Sequence, residues 1–79
     1  MNNIKKYNLS FTKTFGISEK KIIKLKYQDI KEWDSVGHMN LMSSLEKEFN
    51  IQMKIDDIID FSSYKKGKQI LKKYKVIIK

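Results

Sequence analysis

An acid, a serine and the chain's single histidine, Asp34, Ser35 and His38, fall within five residues in the stretch WDSVGHMNLMSSLEKEF. On a helix, positions three apart share a face, so Ser35 and His38 could pair as nucleophile and base. A working dyad also needs a third group to orient the imidazole and donors for the oxyanion. A neighbouring helical turn rarely supplies that geometry, and 79 residues leave little chain for a substrate pocket besides. A hydrolase is therefore disfavoured. One histidine and no cysteine argue equally against a metal centre. His38 is expected to be a surface residue that meets a partner or a phosphate. For the acid and serine, helix capping is the simplest use, because aspartate is a favoured N-cap. A sharper use is covalent attachment. The first turn of a helix offers free N–H groups and the positive end of the macrodipole, which favour a phosphate carried on Ser35. Asp34 could then cap the helix, or help hold a metal or substrate while a transferase acts.

The element that must position this pair is predicted over 34–49, with Asp34 as N-cap and Asn50 as a left-handed stop. Its expected apolar stripe is Val36, Met39, Met42, Leu45 and Phe49. The preceding stretch, 17–33, reads as a long connection with one short helical turn near Glu19 to Ile23. Ile22, Ile23, Leu25, Tyr27, Ile30 and Trp33 would pin it to a core. The first segment admits two readings. Tyr7, Leu9, Phe11 and Phe15 alternate as in a strand, whereas Ile4, Tyr7, Phe11 and Phe15 follow helical spacing and end at Gly16. Helix is preferred, because no clear second strand is available to pair with it. After the connection IQMKI, Asp56 or Asp57 should cap a short helix through Ile58, Ile59 and Phe61. Ser62 or Ser63 should cap a last helix, SYKKGKQILKKY, with Tyr64, Gly67, Leu71 and Tyr74 facing inward and Ile70 at the edge. Glycine at a helix interior costs about 1 kcal/mol against alanine, so Gly67 implies close approach to a neighbouring helix. The tail VIIK should extend that helix or add a little core.

These elements make one all-α domain over residues 1–79, with three main helices, a short one and a long first loop. No apolar run approaches membrane-spanning length, and MNNIKKYNLSF lacks the long apolar core of a signal peptide. A soluble, cytoplasmic, monomeric protein without stable membrane insertion is expected. The formal net charge is +8, yet all 17 basic residues are lysine. Arginine is the residue of choice for bidentate phosphate and base recognition, so nucleic acid is not the expected partner. Lysine, isoleucine and asparagine enrichment without arginine fits an AT-rich coding sequence. The charge is also uneven: residues 35–60 sum to −3 and residues 61–79 to +7. An acidic middle suits a basic partner. The alternative is a small basic helical protein that binds nucleic acid through Lys65, Lys66, Lys68, Lys72, Lys73 and Lys75, interleaved with Tyr64 and Tyr74. No DNA- or RNA-binding motif accompanies them.

Asp34-Ser35-Val36 resembles the Asp-Ser-Leu tripeptide that opens the second helix of acyl carrier proteins, with valine in place of leucine. The likeness continues through Met39, Leu41, Met42, Leu45, Glu46, Glu48 and Phe49. Gly16-Ile17 matches the end of the family's first helix, and DDIIDFSSY resembles its short third helix and the start of the fourth. Nearly the whole chain is covered in order. The wording WDSVGHMNL is similar to stand-alone carriers of specialised pathways. Typical fatty-acid-synthesis members are acidic, and this chain departs from them in its lysine content.

The resemblance implies a four-helix bundle of acyl-carrier type that is no enzyme itself. Ser35 would carry 4′-phosphopantetheine through a phosphodiester, and the cofactor thiol would hold acyl or aminoacyl intermediates as thioesters. The setting would be fatty-acid or specialised biosynthesis of polysaccharide or polyketide type. Partners would be a phosphopantetheinyl transferase and acyl-transferring, ligase or synthase enzymes. Phe11, Phe15, Val36, Met39, Leu45, Ile58, Ile59 and Leu71 would line the interior. Of these, Phe11, Phe15, Leu45, Ile58, Ile59 and Leu71 are candidates to shelter an acyl chain, with plain core packing as the simpler reading. Val36, His38, Met39, Glu46, Asp56 and Asp57 are candidates for partner contact.

Overall fold

A computed structural model describes residues 2–78. Five helices follow one another: α1 (Asn3–Phe15), α2 (Glu19–Ile22), α3 (Ser35–Phe49), α4 (Ile55–Asp60) and α5 (Tyr64–Lys72). Among the described residues there is no strand, and the only bridge is the isolated antiparallel pair Lys26 and Ser63. The first segment is the helix, not the strand. Asn2 caps it by accepting the Lys5 N–H, and Gly16 ends it at φ 66°. That angle is in the left-handed region that glycine enters without a Cβ penalty.

α1 packs on α3 and α2. Tyr7, Phe11 and Phe15 put one face of α1 into the core, against Leu41, Met42 and Leu45 of α3 and Ile70 and Leu71 of α5. The largest buried side chain comes from a loop. Trp33, at 0 % exposure, ends the long connection between α2 and α3, with its ring 5.7 Å from that of Phe11 and 5.3 Å from that of Phe15. Truncating a buried tryptophan of this kind to alanine typically costs about 3–5 kcal/mol. The connection is thus anchored in the core at its end. Its midpoint is tied by Tyr27 N–H to Ser62 C=O at 2.8 Å, and by Tyr64 N–H to Leu25 C=O at 2.9 Å.

Ile23, at 58 % exposure, does not pin the connection to the core as expected, and four further expectations about the helices are corrected. First, Val36 and Met39 are exposed, at 69 % and 51 %. The steps Val36, Met39, Met42, Leu45 each fall about 60° short of a full turn, so the row winds half-way round the helix and only its later members reach the core. Leu41 and Gly37 complete the buried face instead. Second, Ile59 is 75 % exposed, and Ile58 is only partly buried. Third, neither Asp56 nor Asp57 caps α4: the N-cap is Lys54, without a side-chain bond, and both acids lie in the first turn. Fourth, Ile70 belongs to the core rather than its edge, at 1 % exposure. The tail does not extend α5; Lys75 turns the chain at φ 64° and Val76 adds to the core.

Gly67 fulfils the close-approach reading. A Cβ there would meet Phe61 Cζ and Tyr7 Oη, each at 2.2 Å. The Tyr7 hydroxyl is held at that spot because it donates to the Tyr64 C=O at 2.5 Å. Burial pushes the Tyr7 phenol far above its usual range, so this donor keeps its proton.

Candidate functional site

The start of α3 is built by its neighbours in sequence. Asp34 is extended and its carboxylate accepts the Gly37 N–H at 2.8 Å, the predicted cap. Gly37 is buried under the preceding loop, and a Cβ there would lie 1.9 Å from the Glu32 carbonyl oxygen. The loop therefore closes directly over the first turn. Ser35 is the first helical residue and is exposed, with its Oγ 3.5 Å from the Tyr27 hydroxyl.

His38 is not the free surface residue expected. The Trp33 indole N–H donates to its Nδ1 at 2.9 Å, and its Nε2 lies 2.7 Å from the Ile58 C=O. Indole is only a donor and a carbonyl only an acceptor, so both bonds require the neutral ring with its proton on Nε2. His38 thereby joins the long loop to α3 and α4. Its nitrogens are both engaged, and Ser35 has no base in it.

Beside Ser35 lies a cleft of about 270 Å³ lined by Tyr27, His38, Ile59, Phe61 and Ser62. Tyr27 contributes both to this cleft and to the Ser35 contact. Sequence reading treated Tyr27 only as an anchor of the loop; its place beside Ser35 depends on an irregular turn through Gln28, at φ 70°, which no periodicity announces.

The other candidates separate into groups. Val36 and Met39 form one exposed apolar row on α3, and Ile55 and Ile59 another on α4. Asp56 is exposed on α4. Glu46 is partly spent on structure, since its carboxylate accepts the Met53 N–H at 2.8 Å and fixes the link from α3 to α4. Asp57 is buried at 8 % exposure, which corrects its assignment as a partner contact. The Tyr74 hydroxyl donates to it at 2.5 Å and Lys73 at 3.0 Å. Those two hydrogen bonds, Tyr74 first, hold its carboxyl below the ordinary range despite burial. Of the acyl-pocket candidates, Phe11, Leu45 and Leu71 are fully buried and Phe15 nearly so. They pack as core, whereas Ile59 opens on the cleft near Ser35.

Among the described residues no group of three or more His, Cys, Asp or Glu is placed to hold a metal ion, and no helix is long and apolar enough to cross a membrane. No protein-family model, curated protein or solved structure matches the chain.

Proposed function

We propose that the chain is an acyl-carrier-type protein in which Ser35 bears 4′-phosphopantetheine and presents acyl or aminoacyl groups to other enzymes. The observation that carries this reading is the exposed Ser35 hydroxyl at the first residue of a 15-residue helix whose cap is already satisfied by Asp34. Its surroundings fit the group. A phosphodiester on Ser35 would lie at the positive end of α3. The cleft formed with Tyr27 and His38 is partly apolar, as a pantetheine arm or short acyl group requires. When bound, the cofactor supplies the thiol that this cysteine-free chain lacks. The residues around it serve presentation: Trp33 and His38 lock the loop, Gly37 brings it against α3, and Val36 and Met39 offer an apolar contact for a visiting enzyme.

Incubation with coenzyme A and a broadly tolerant phosphopantetheinyl transferase should raise the intact mass by one phosphopantetheine. Ser35→Ala should stay unmodified while keeping its helical circular dichroism. An unchanged mass for the native sequence would overturn the reading, as would equal modification of Ser35→Ala. The pathway, fatty-acid or specialised, follows from which ligases and synthases then load the modified protein.

A further inference from the structure

The exposed large apolar residues fall into two groups with different surroundings. Val36 and Met39 belong to α3, and Ile55 and Ile59 to α4. Ile23 and Ile77, at 58 % and 44 % exposure, sit among lysines. Ile23 shares a cleft of about 400 Å³ with Lys24, Lys26 and Lys65, and Ile77 shares another with Lys68 and Lys72. Lys65, Lys68 and Lys72 recur at helical spacing on α5, so they form one stripe that joins the two clefts. Two neighbouring lysines differ: Lys66 of α5 and Lys73 just after it reach Asp60 and Asp57, while Lys68 lies over the Tyr64 ring, 4.8 Å from its centroid. None of Lys24, Lys26, Lys65, Lys68 and Lys72 forms a salt bridge with a carboxylate of the described residues. Two acids stand nearby. Asp29 accepts the Lys26 N–H, and Glu19 is bonded by Asn8 in a different cleft.

We propose that this face docks on an anionic lipid bilayer, with its lysines on headgroup phosphates and Ile23 and Ile77 entering the acyl boundary. Charge complementarity selects an anionic occupant, and the apolar residues select a lipid. Nucleic acid fits less well. The face has no arginine to read bases, and the aromatic residues in and just after α5 are not available for stacking. Tyr64 is buried at 3 % exposure, and Tyr74 is committed to Asp57 and the Lys54 N–H. The proposal is independent of Ser35. The antiparallel bridge of Lys26 with Ser63 separates the lysine cleft from the Ser35-side cleft, which takes the adjacent Tyr27 and Ser62.

The test is co-sedimentation of the full chain with vesicles of phosphatidylcholine alone and of phosphatidylcholine with phosphatidylglycerol, at low and high salt. Binding should require phosphatidylglycerol and weaken with salt. A lysine near an anionic surface contributes roughly fivefold in partitioning, so the triple variant Lys65→Gln, Lys68→Gln, Lys72→Gln should lose about a hundredfold. A control of equal net charge, Lys13→Gln, Lys31→Gln, Lys47→Gln, should lose far less. Ile23→Ser with Ile77→Ser should remove the binding that survives high salt. Circular dichroism checks folding, and the single variants Lys65→Gln and Lys72→Gln keep the test open if the triple variant unfolds. Equal losses in the two triple variants would reduce the effect to net charge and overturn the proposal. Absence of vesicle binding would also overturn it, as would a preference for a short RNA or DNA duplex through the same lysines.

Discussion

At the residue scale, Asp34 and Asp57 show how little residue type alone says about role. Both are acids in or beside the first turn of a helix, yet Asp34 caps its helix and Asp57 does not. Asp57 instead anchors the tail of the molecule through Tyr74 and Lys73. The carboxyl's folded value lies below the ordinary 3.8 of an unfolded chain. Its contribution to stability is therefore complete above that unfolded value and is lost as pH falls through the folded one. Asp57→Asn should lower the melting temperature at neutral pH, and its deficit against the native sequence should shrink as pH drops below about 4. Melting curves across an acid series check this; a deficit that stays constant would show that the carboxylate charge plays no part.

At the scale of elements, Gly67 ties α5 to α1. Alanine there gains about 1 kcal/mol in helix propensity. Its Cβ, however, must displace the Phe61 ring or the Tyr7 hydroxyl, and overpacking of that kind costs about 1–3 kcal/mol. Moving Tyr7 also disturbs its bond to the Tyr64 C=O. Gly67→Ala should be net destabilising in urea unfolding, and a more stable variant would mean that the contact is loose. Lys75 presents the opposite case. It holds a left-handed angle with a Cβ, and its turn closes as the Val76 N–H donates to the Leu71 C=O at 3.1 Å. Its side chain is exposed, so relief of the backbone is the main effect of Lys75→Gly, which should stabilise by about 0.5–1 kcal/mol in the same assay.

At the scale of the whole molecule, a chain of 79 residues carries a net charge of +8. Self-repulsion of that sign opposes compaction, and salt screens it. The melting temperature should rise between low and moderate salt, and a fall would mean that the attractive pairs at Asp57 and Asp60 outweigh the repulsion. The order and type of helices were legible in the sequence because caps and periodicity are local: Gly16, Asp34, Asn50 and Ser63 each act where expected. The candidate site was legible in part, for the same reason: Asp34 and Ser35 follow from the cap.

Sequence alone thus determined a helical chain, its cap residues and an exposed serine candidate at the head of α3. Tertiary structure decided which faces turn inward. Trp33 enters the core from a loop whose Glu32 carbonyl closes over Gly37, and α3 buries its Gly37 and Leu41 side while Val36 and Met39 stay in solvent. The pairing of Trp33 with His38, the place of Tyr27 beside Ser35 and the joining of Lys24, Lys26 and Lys65 in one cleft were likewise settled by packing. Each depends on how an irregular connection crosses the helices, where side-chain direction follows from long-range contacts and not from a repeating backbone angle.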